Sequence, residues 1–226
     1  MKETLYQYRF EILLISQLSI LFGSLIVPVN WFDSWVSPVL FIVNILSGVL
    51  LFLHEKRRVW LILTVALIAI VAQWMTPKDF NDMGTFNAVK LFSFFLFYAL
   101  LAFEIIRQVW YAKIVGKNVI FGLVSGFITT GLIGFFICLS IEIYNPGSFD
   151  GIKTATMSET VDSQGLLYYS YITLMTIGYG DIVPTTLLAR KAAVLIGLIG
   201  QFYLVILTAI IVGKFLNNSI KGSDKD

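Results

Sequence analysis

Apolar residues along this chain gather into long runs separated by short polar breaks. Six runs, at 12–29, 38–53, 59–75, 89–106, 119–143 and 192–216, carry few or no charges. Crossing the bilayer hydrocarbon takes about 20 mostly apolar residues in a helix, so each run predicts a membrane span. Polar breaks at 30–34, 54–58 and 76–79 separate the first four runs. Ser37-Pro38 reads as an N-cap followed by a first-turn proline. A seventh run, 166–175, is too short to cross. It follows the turn signal Tyr144-Asn145-Pro146-Gly147 and a polar stretch to Gly165, and it leads at once into glycines and an aspartate. That pattern predicts a re-entrant helix and loop, because irregular backbone is tolerated at membrane depth only inside protein or a water-filled cavity. The expected fold class is an all-α membrane protein with six transmembrane helices and one re-entrant segment.

Composition narrows the class further. The 226 residues are 58% hydrophobic and 13% charged, where a soluble domain carries about a quarter charged residues. The net charge of +2 is scattered between apolar runs, which gives nucleic-acid binding no support. The single cysteine, Cys138, excludes an intramolecular disulfide and reads as a small packing residue. Lys2 and Arg9 precede the first run, but it continues to Val29 without a small-residue cleavage site, so it reads as a span rather than a leader. Lys56, Arg57 and Arg58, and then Arg107, Lys113 and Lys117, occupy alternate loops opposite Asp33, Asp79, Asp82, Asp150, Glu159 and Asp162. The excess of positive charge on one side predicts a multi-pass cell-membrane protein with both termini cytoplasmic. Arg190 and Lys191, at the outer end of the sixth run, break the rule.

The chemistry sits at Thr173-Leu174-Met175-Thr176-Ile177-Gly178-Tyr179-Gly180-Asp181. A dehydrated cation needs a cage of oxygens, and four chains can each offer one backbone carbonyl to each ring. An ordinary strand cannot aim all its carbonyls one way, because they alternate. Alternating ordinary and mirror-image dihedrals can, and Gly178 and Gly180 accept the mirror-image region at little cost. Thr176 adds a hydroxyl to its carbonyl. Ile177 and Tyr179 then point away from the oxygens and pack against the re-entrant helix.

These nine residues resemble the potassium-channel signature, in which two threonines three apart precede a hydrophobic-Gly-Tyr-Gly-Asp run. The resemblance is tight over the loop, holds in outline over 119–216, and extends to 1–118 only in the number and placement of spans. It implies a prokaryotic six-span member: a homotetramer around a central pore, with 1–112 as a voltage-sensor-like domain and 113–226 as the pore domain. Backbone carbonyls would replace the hydration shell of potassium, with ion sites at Thr176, Ile177, Gly178 and Tyr179 and Gly180 completing the filter. No cofactor is expected beyond K+ as the permeant ion. Expected partners are the lipid bilayer, the other three subunits and a separate regulatory subunit.

Supporting residues follow from the same resemblance. Tyr168 and Tyr169 stand where many members have tryptophans and would form an aromatic cuff around Tyr179, with Thr173 nearby. Tyr168 is also placed to hold Asp181 by a hydrogen bond. Ile172 occupies a place where some members carry a buried glutamate. Glu142 matches a glutamate that braces backbone just after the filter, near Thr185; the alternative is an interfacial glutamate in water. Gly200 falls at the inner-helix hinge, with close packing against span five as the alternative, and packing is favoured for Gly197. Span five has its own small-residue spacing at Gly122, Gly126, Gly131 and Gly134. Helical spacing from the hinge puts Gln201, Leu204, Thr208 and Val212 on the cavity wall.

Charge in the fourth run argues against strong voltage sensing. Lys90 opens it, Arg107 closes it and Glu104 lies between. One charge crossing the full field is worth about 2.3 kcal/mol per 100 mV, so Lys90 moving in four subunits would supply about 9 kcal/mol against the tens of steep gating. If the chain is complete, the ten residues from Asn217 to Asp226 leave no room for a ligand-binding domain. His54, the sole histidine, is an interfacial residue before it is a proton sensor. Two further function classes stay open: a weakly selective cation channel, and a non-conducting six-span carrier or accessory protein. For the carrier, Gln17, Asn44 and Gln73 are the polar mid-span candidates, and they read more simply as helix-packing hydrogen bonds. Nothing argues for an enzyme.

Overall fold

Short and long apolar runs both fold as helices, but their lengths differ from the expected spans. The computed structural model describes residues 2–28, 31–53, 56–75, 85–112, 116–152 and 161–223. In chain order these form α1 (Lys2–Gln7), α2 (Arg9–Phe22), α3 (Ser37–Val49), α4 (Lys56–Met75), α5 (Thr85–Tyr111), α6 (Lys117–Tyr144), β1 (Phe149–Asp150), α7 (Ser163–Leu174), β2 (Val183–Pro184) and α8 (Leu187–Ser223). Among the described residues, four helical segments are long and apolar enough to cross a membrane: Ser34–Phe52, Asn87–Tyr111, Lys117–Tyr144 and Leu187–Ile206. Arg58–Trp74 is apolar but shorter. His54, Asp79, Asp82, Lys113 and Glu159, with the break at 76–79, lie outside the described residues.

Two local expectations are corrected. The first run does not continue as one helix to residue 29, because α2 ends at Phe22 and passes into a 3-10 turn at Gly23–Leu25. A Cβ on Gly23 would lie 2.6 Å from the Phe32 ring, so the turn brings the chain close where a side chain would block it. Ser37 is not an N-cap either: a π-helical turn at Phe32–Val36 precedes it, and helical geometry already holds at Val36. Pro38 still occupies the first turn of α3, where its missing N–H costs nothing.

Packing divides the chain into two compact units: Met1–Thr64 with Leu100–Ile128 and Tyr203–Asp226, and Val65–Ala99 with Thr129–Phe202. In the first, α2 packs on α3 through buried Leu13, Ile20 and Ile45. A polar seam runs through that contact: Asn44 Nδ2 donates to Ser16 Oγ at 2.8 Å, and Ser16 and Ser47 share a hydrogen bond at 3.0 Å. Asn44 thus serves helix packing. Glu104 of α5 is fully buried and receives Arg58 Nη1 at 2.7 Å, Arg107 Nη2 at 2.9 Å and Gln108 Nε2 at 2.9 Å. Arg9 joins the cluster by donating to Gln108 Oε1 at 3.0 Å. Tyr203 of α8 donates to the Leu123 carbonyl at 2.7 Å, in space left by Gly126.

In the second unit, Phe94 and Tyr98 of α5 both stack on Phe136 of α6, with centroids 5.1 and 5.5 Å apart. Gly131 and Gly134 of α6 face α7, where added Cβ atoms would meet the Tyr171 ring and Ser170 Oγ. Ser170 Oγ then donates to the Gly131 carbonyl at 2.7 Å. The small-residue spacing of α6 therefore seats the short helix α7 as well as Tyr203.

Candidate functional site: the loop after α7

Helix α7 starts where Asp162 caps it, the carboxylate accepting from Gly165 N at 2.8 Å. An Asp-Ser pair ahead of an apolar run is an N-cap signal, yet Asp162 reads from sequence only as an outer-loop charge. Leu166, Leu167, Ser170, Tyr171, Ile172 and Leu174 are buried, which fixes the helix on its neighbours. It ends after Leu174, and three main-chain bonds tie down the chain that follows. Thr176 N donates to Thr173 O at 3.0 Å, while Ile177 N and Gly178 N both donate to Ile172 O, at 2.9 and 3.3 Å.

Beyond that anchor the backbone alternates. Thr176, Gly178 and Gly180 have φ of 58°, 55° and 81°, and Ile177 and Tyr179 between them do not. Among the described residues Thr176 is the sole non-glycine with positive φ. A β-branched residue there is a genuine outlier, with strain on the order of 1–3 kcal/mol. From residue type alone, mirror-image geometry is expected only at the two glycines. No residue signal could have added Thr176, since its side chain disfavours the region and only the anchoring bonds impose it. Residues 175–180 are all exposed in the single chain, Tyr179 by 73%.

The supporting residues surround this loop on one side. The Tyr168 hydroxyl donates a hydrogen bond to the Asp181 carboxylate, and that bond, with lesser contributions from burial and the nearby charge, pushes the phenol above its ordinary value. Tyr169 is hydrogen-bonded to Thr173 and packs edge-on against Phe149 at 5.1 Å. The two tyrosines therefore diverge: one holds the end of the loop, the other braces the helix against β1. Within the single chain no ring contact joins either to Tyr179 among the described residues.

Glu142, at the end of α6, is buried and accepts from Gly147 N at 2.7 Å and Phe149 N at 3.2 Å. It acts on the Thr185 region at one remove. Gly147 O accepts from Thr185 Oγ1 at 2.7 Å, and Ser148 O accepts from Thr185 N at 2.9 Å. Next to this, β1 pairs antiparallel with β2, Phe149 opposite Pro184 and Asp150 opposite Val183. Gly151, with φ of 86°, passes so close to Asp181 that a Cβ would collide with its carbonyl oxygen. This two-strand latch, built from turn residues ahead of α7 and loop residues after it, has no counterpart in the apolar pattern.

Helix α8 runs without interruption past Gly197 and Gly200. A Cβ on Gly200 would strike the Leu174 carbonyl oxygen, while at Gly197 the nearest atom is Thr173 O at 3.8 Å. Gly200 thus lets α8 approach the last turn of α7, a partner other than span five, which stood as the packing alternative to a hinge at this position. Gln201, Leu204, Thr208 and Val212 follow on the same helix and are all exposed. Only 22% of the apolar window of α8 is buried, against 61% for α6, so α8 is the least covered of the long helices.

Residues 123–217 match a family model described as an ion channel. No curated protein and no solved structure matches the chain. The matched stretch begins in α6 and ends in α8, and it contains every residue of the loop, its supports and the glycines that seat α7 and α8. A mostly helical chain with four candidate spans among its described residues, and a stretch similar to an ion-channel family, is a membrane protein.

Proposed function

We propose that this chain is one subunit of a homotetrameric, potassium-selective channel of the cell membrane, and that Thr176–Gly180 is its filter. The observation that carries the reading is the alternation of positive φ at Thr176, Gly178 and Gly180, directly after a short capped helix. Alternating dihedrals turn successive carbonyls to one side, which is what stripping water from a cation requires. Four copies supply complete oxygen rings and cover the exposed loop and the bare face of α8. Ion sites lie at Thr176, Ile177, Gly178 and Tyr179, and Gln201, Leu204, Thr208 and Val212 line the inner cavity.

The runs at 12–29 and 59–75 complete six spans with both termini cytoplasmic, the first four forming a voltage-sensor-like frame with little voltage dependence. Arg58 and Arg107 both pair with the buried Glu104, which leaves them poorly suited to cross the field. The protein acts by passive conduction, not catalysis. The deciding experiment is potassium flux into liposomes containing the purified protein, compared with sodium. Potassium flux well above sodium is expected; equal sodium flux identifies a weakly selective channel, and no flux under any stimulus identifies an accessory protein.

A further inference from the structure

Helices α5, α6 and α8 enclose a groove of about 600 Å³ in the second compact unit, inside the roughly 300–1,000 Å³ range of ligand-sized pockets. Its walls are apolar, among them Leu91 and Phe95 of α5, Ile141 of α6 and Leu195 of α8. The polar exceptions sit toward the helix ends. Lys191 is the fifth residue of α8 and Tyr144 is the last residue of α6. Ser140, also on the wall, already spends its hydroxyl on the Phe136 carbonyl at 2.6 Å. Lys191 is exposed and makes no hydrogen bond or ion pair with any described residue. Its neighbour Arg190 is engaged instead, donating to the Pro184 carbonyl at 3.2 Å. Arg190 and Lys191 are also the two cations that violate the charge asymmetry of the loops.

We propose that this groove is a binding site for an anionic membrane phospholipid, with an acyl chain against the apolar walls and the headgroup phosphate at Lys191 and Tyr144. An apolar groove with a cation and a hydroxyl among its lining residues matches an amphiphile with a negative head. A soluble ligand would leave the walls uncompensated, and an apolar one would leave the ammonium without a partner. The inference rests on the chain being embedded in a membrane and not on its conducting potassium.

The test uses the full-length protein in lipid nanodiscs doped with phosphatidylglycerol or phosphatidylcholine carrying a photoreactive diazirine on one acyl chain. Cross-linked peptides are mapped by mass spectrometry, so no flux is read. Phosphatidylglycerol is expected to label 88–95, 137–144 and 188–195 about fivefold more than phosphatidylcholine, the factor given by about 1 kcal/mol for one interfacial lysine. Lys191→Gln should abolish that preference, and Lys191→Arg should keep it. Both variants alter an exposed side chain, and an unchanged circular dichroism spectrum confirms that they fold. Equal labelling by the two lipids, a preference that survives Lys191→Gln, or cross-links joining the groove to another copy of the chain would each overturn the proposal.

Discussion

At the scale of single residues, the loop after α7 combines strain with openness. A Cβ added at Gly178 would meet nothing within 4 Å in the chain, so the cost of Gly178→Ala comes from its φ alone, about 1–2 kcal/mol per chain. That cost is small for stability and large for the proposed function, since relief of the strain turns a carbonyl out of line. Gly178→Ala is expected to leave folding and assembly intact and to abolish potassium flux in liposomes. Tyr168→Phe removes the donor to Asp181 while keeping the ring. The expected result is a filter that loses conduction faster during sustained flux, measured as a shortened current lifetime in planar bilayers. Because the phenol is pushed upward, the Tyr168–Asp181 bond is fully formed below the ordinary tyrosine value of about 10. It is lost only as pH rises through the raised value, so this support does not vary across neutral pH.

Among elements, α7 is the piece on which the site depends, and its apolar face alone does not set its position. Asp162 caps its start, Gly131 and Gly134 make room for its side, and Gly200 makes room for its end. Asp162→Ala should cost about 0.5–2 kcal/mol, the usual worth of an N-cap, read as a lower midpoint of thermal unfolding in detergent. Gly200→Ala introduces a clash with backbone rather than with a flexible side chain. Overpacking of that kind costs about 1–3 kcal/mol, and the variant is expected to lower both tetramer stability on gels and flux. A Gly200 that acted only as a bending point would leave tetramer stability unchanged. Much of α7 was legible in sequence, since ten apolar residues between polar flanks cannot cross a bilayer. The β1–β2 latch was not, because pairs of two residues leave no periodicity to read.

Over the whole molecule, the buried Glu104 cluster shows how charge is accommodated in the front half of the chain. Removing one partner of a buried ion pair costs about 3–5 kcal/mol, because the other charge is left uncompensated. Arg58 and Arg107 retain some solvent contact, which places Glu104→Ala near the lower end, about 3 kcal/mol. Thermal unfolding of that variant checks the figure. With both arginines paired, conductance is expected to change only shallowly with membrane potential, measured as the slope of the conductance–voltage curve in planar bilayers.

The sequence by itself determined the membrane class, the short apolar helix α7 and the run of residues that forms the loop after it. Those properties follow from local facts: run length, charge content, and the residue types that tolerate mirror-image backbone. Tertiary structure alone decided that Thr176 joins the two glycines, that Glu142 reaches Thr185 through the turn at 147–149, that Gly200 meets Leu174, and that Glu104 gathers Arg58 from 46 residues away. Each of these depends on where distant backbone lies. A carbonyl or a guanidinium arriving from another element leaves no mark on the local pattern of apolar and polar positions.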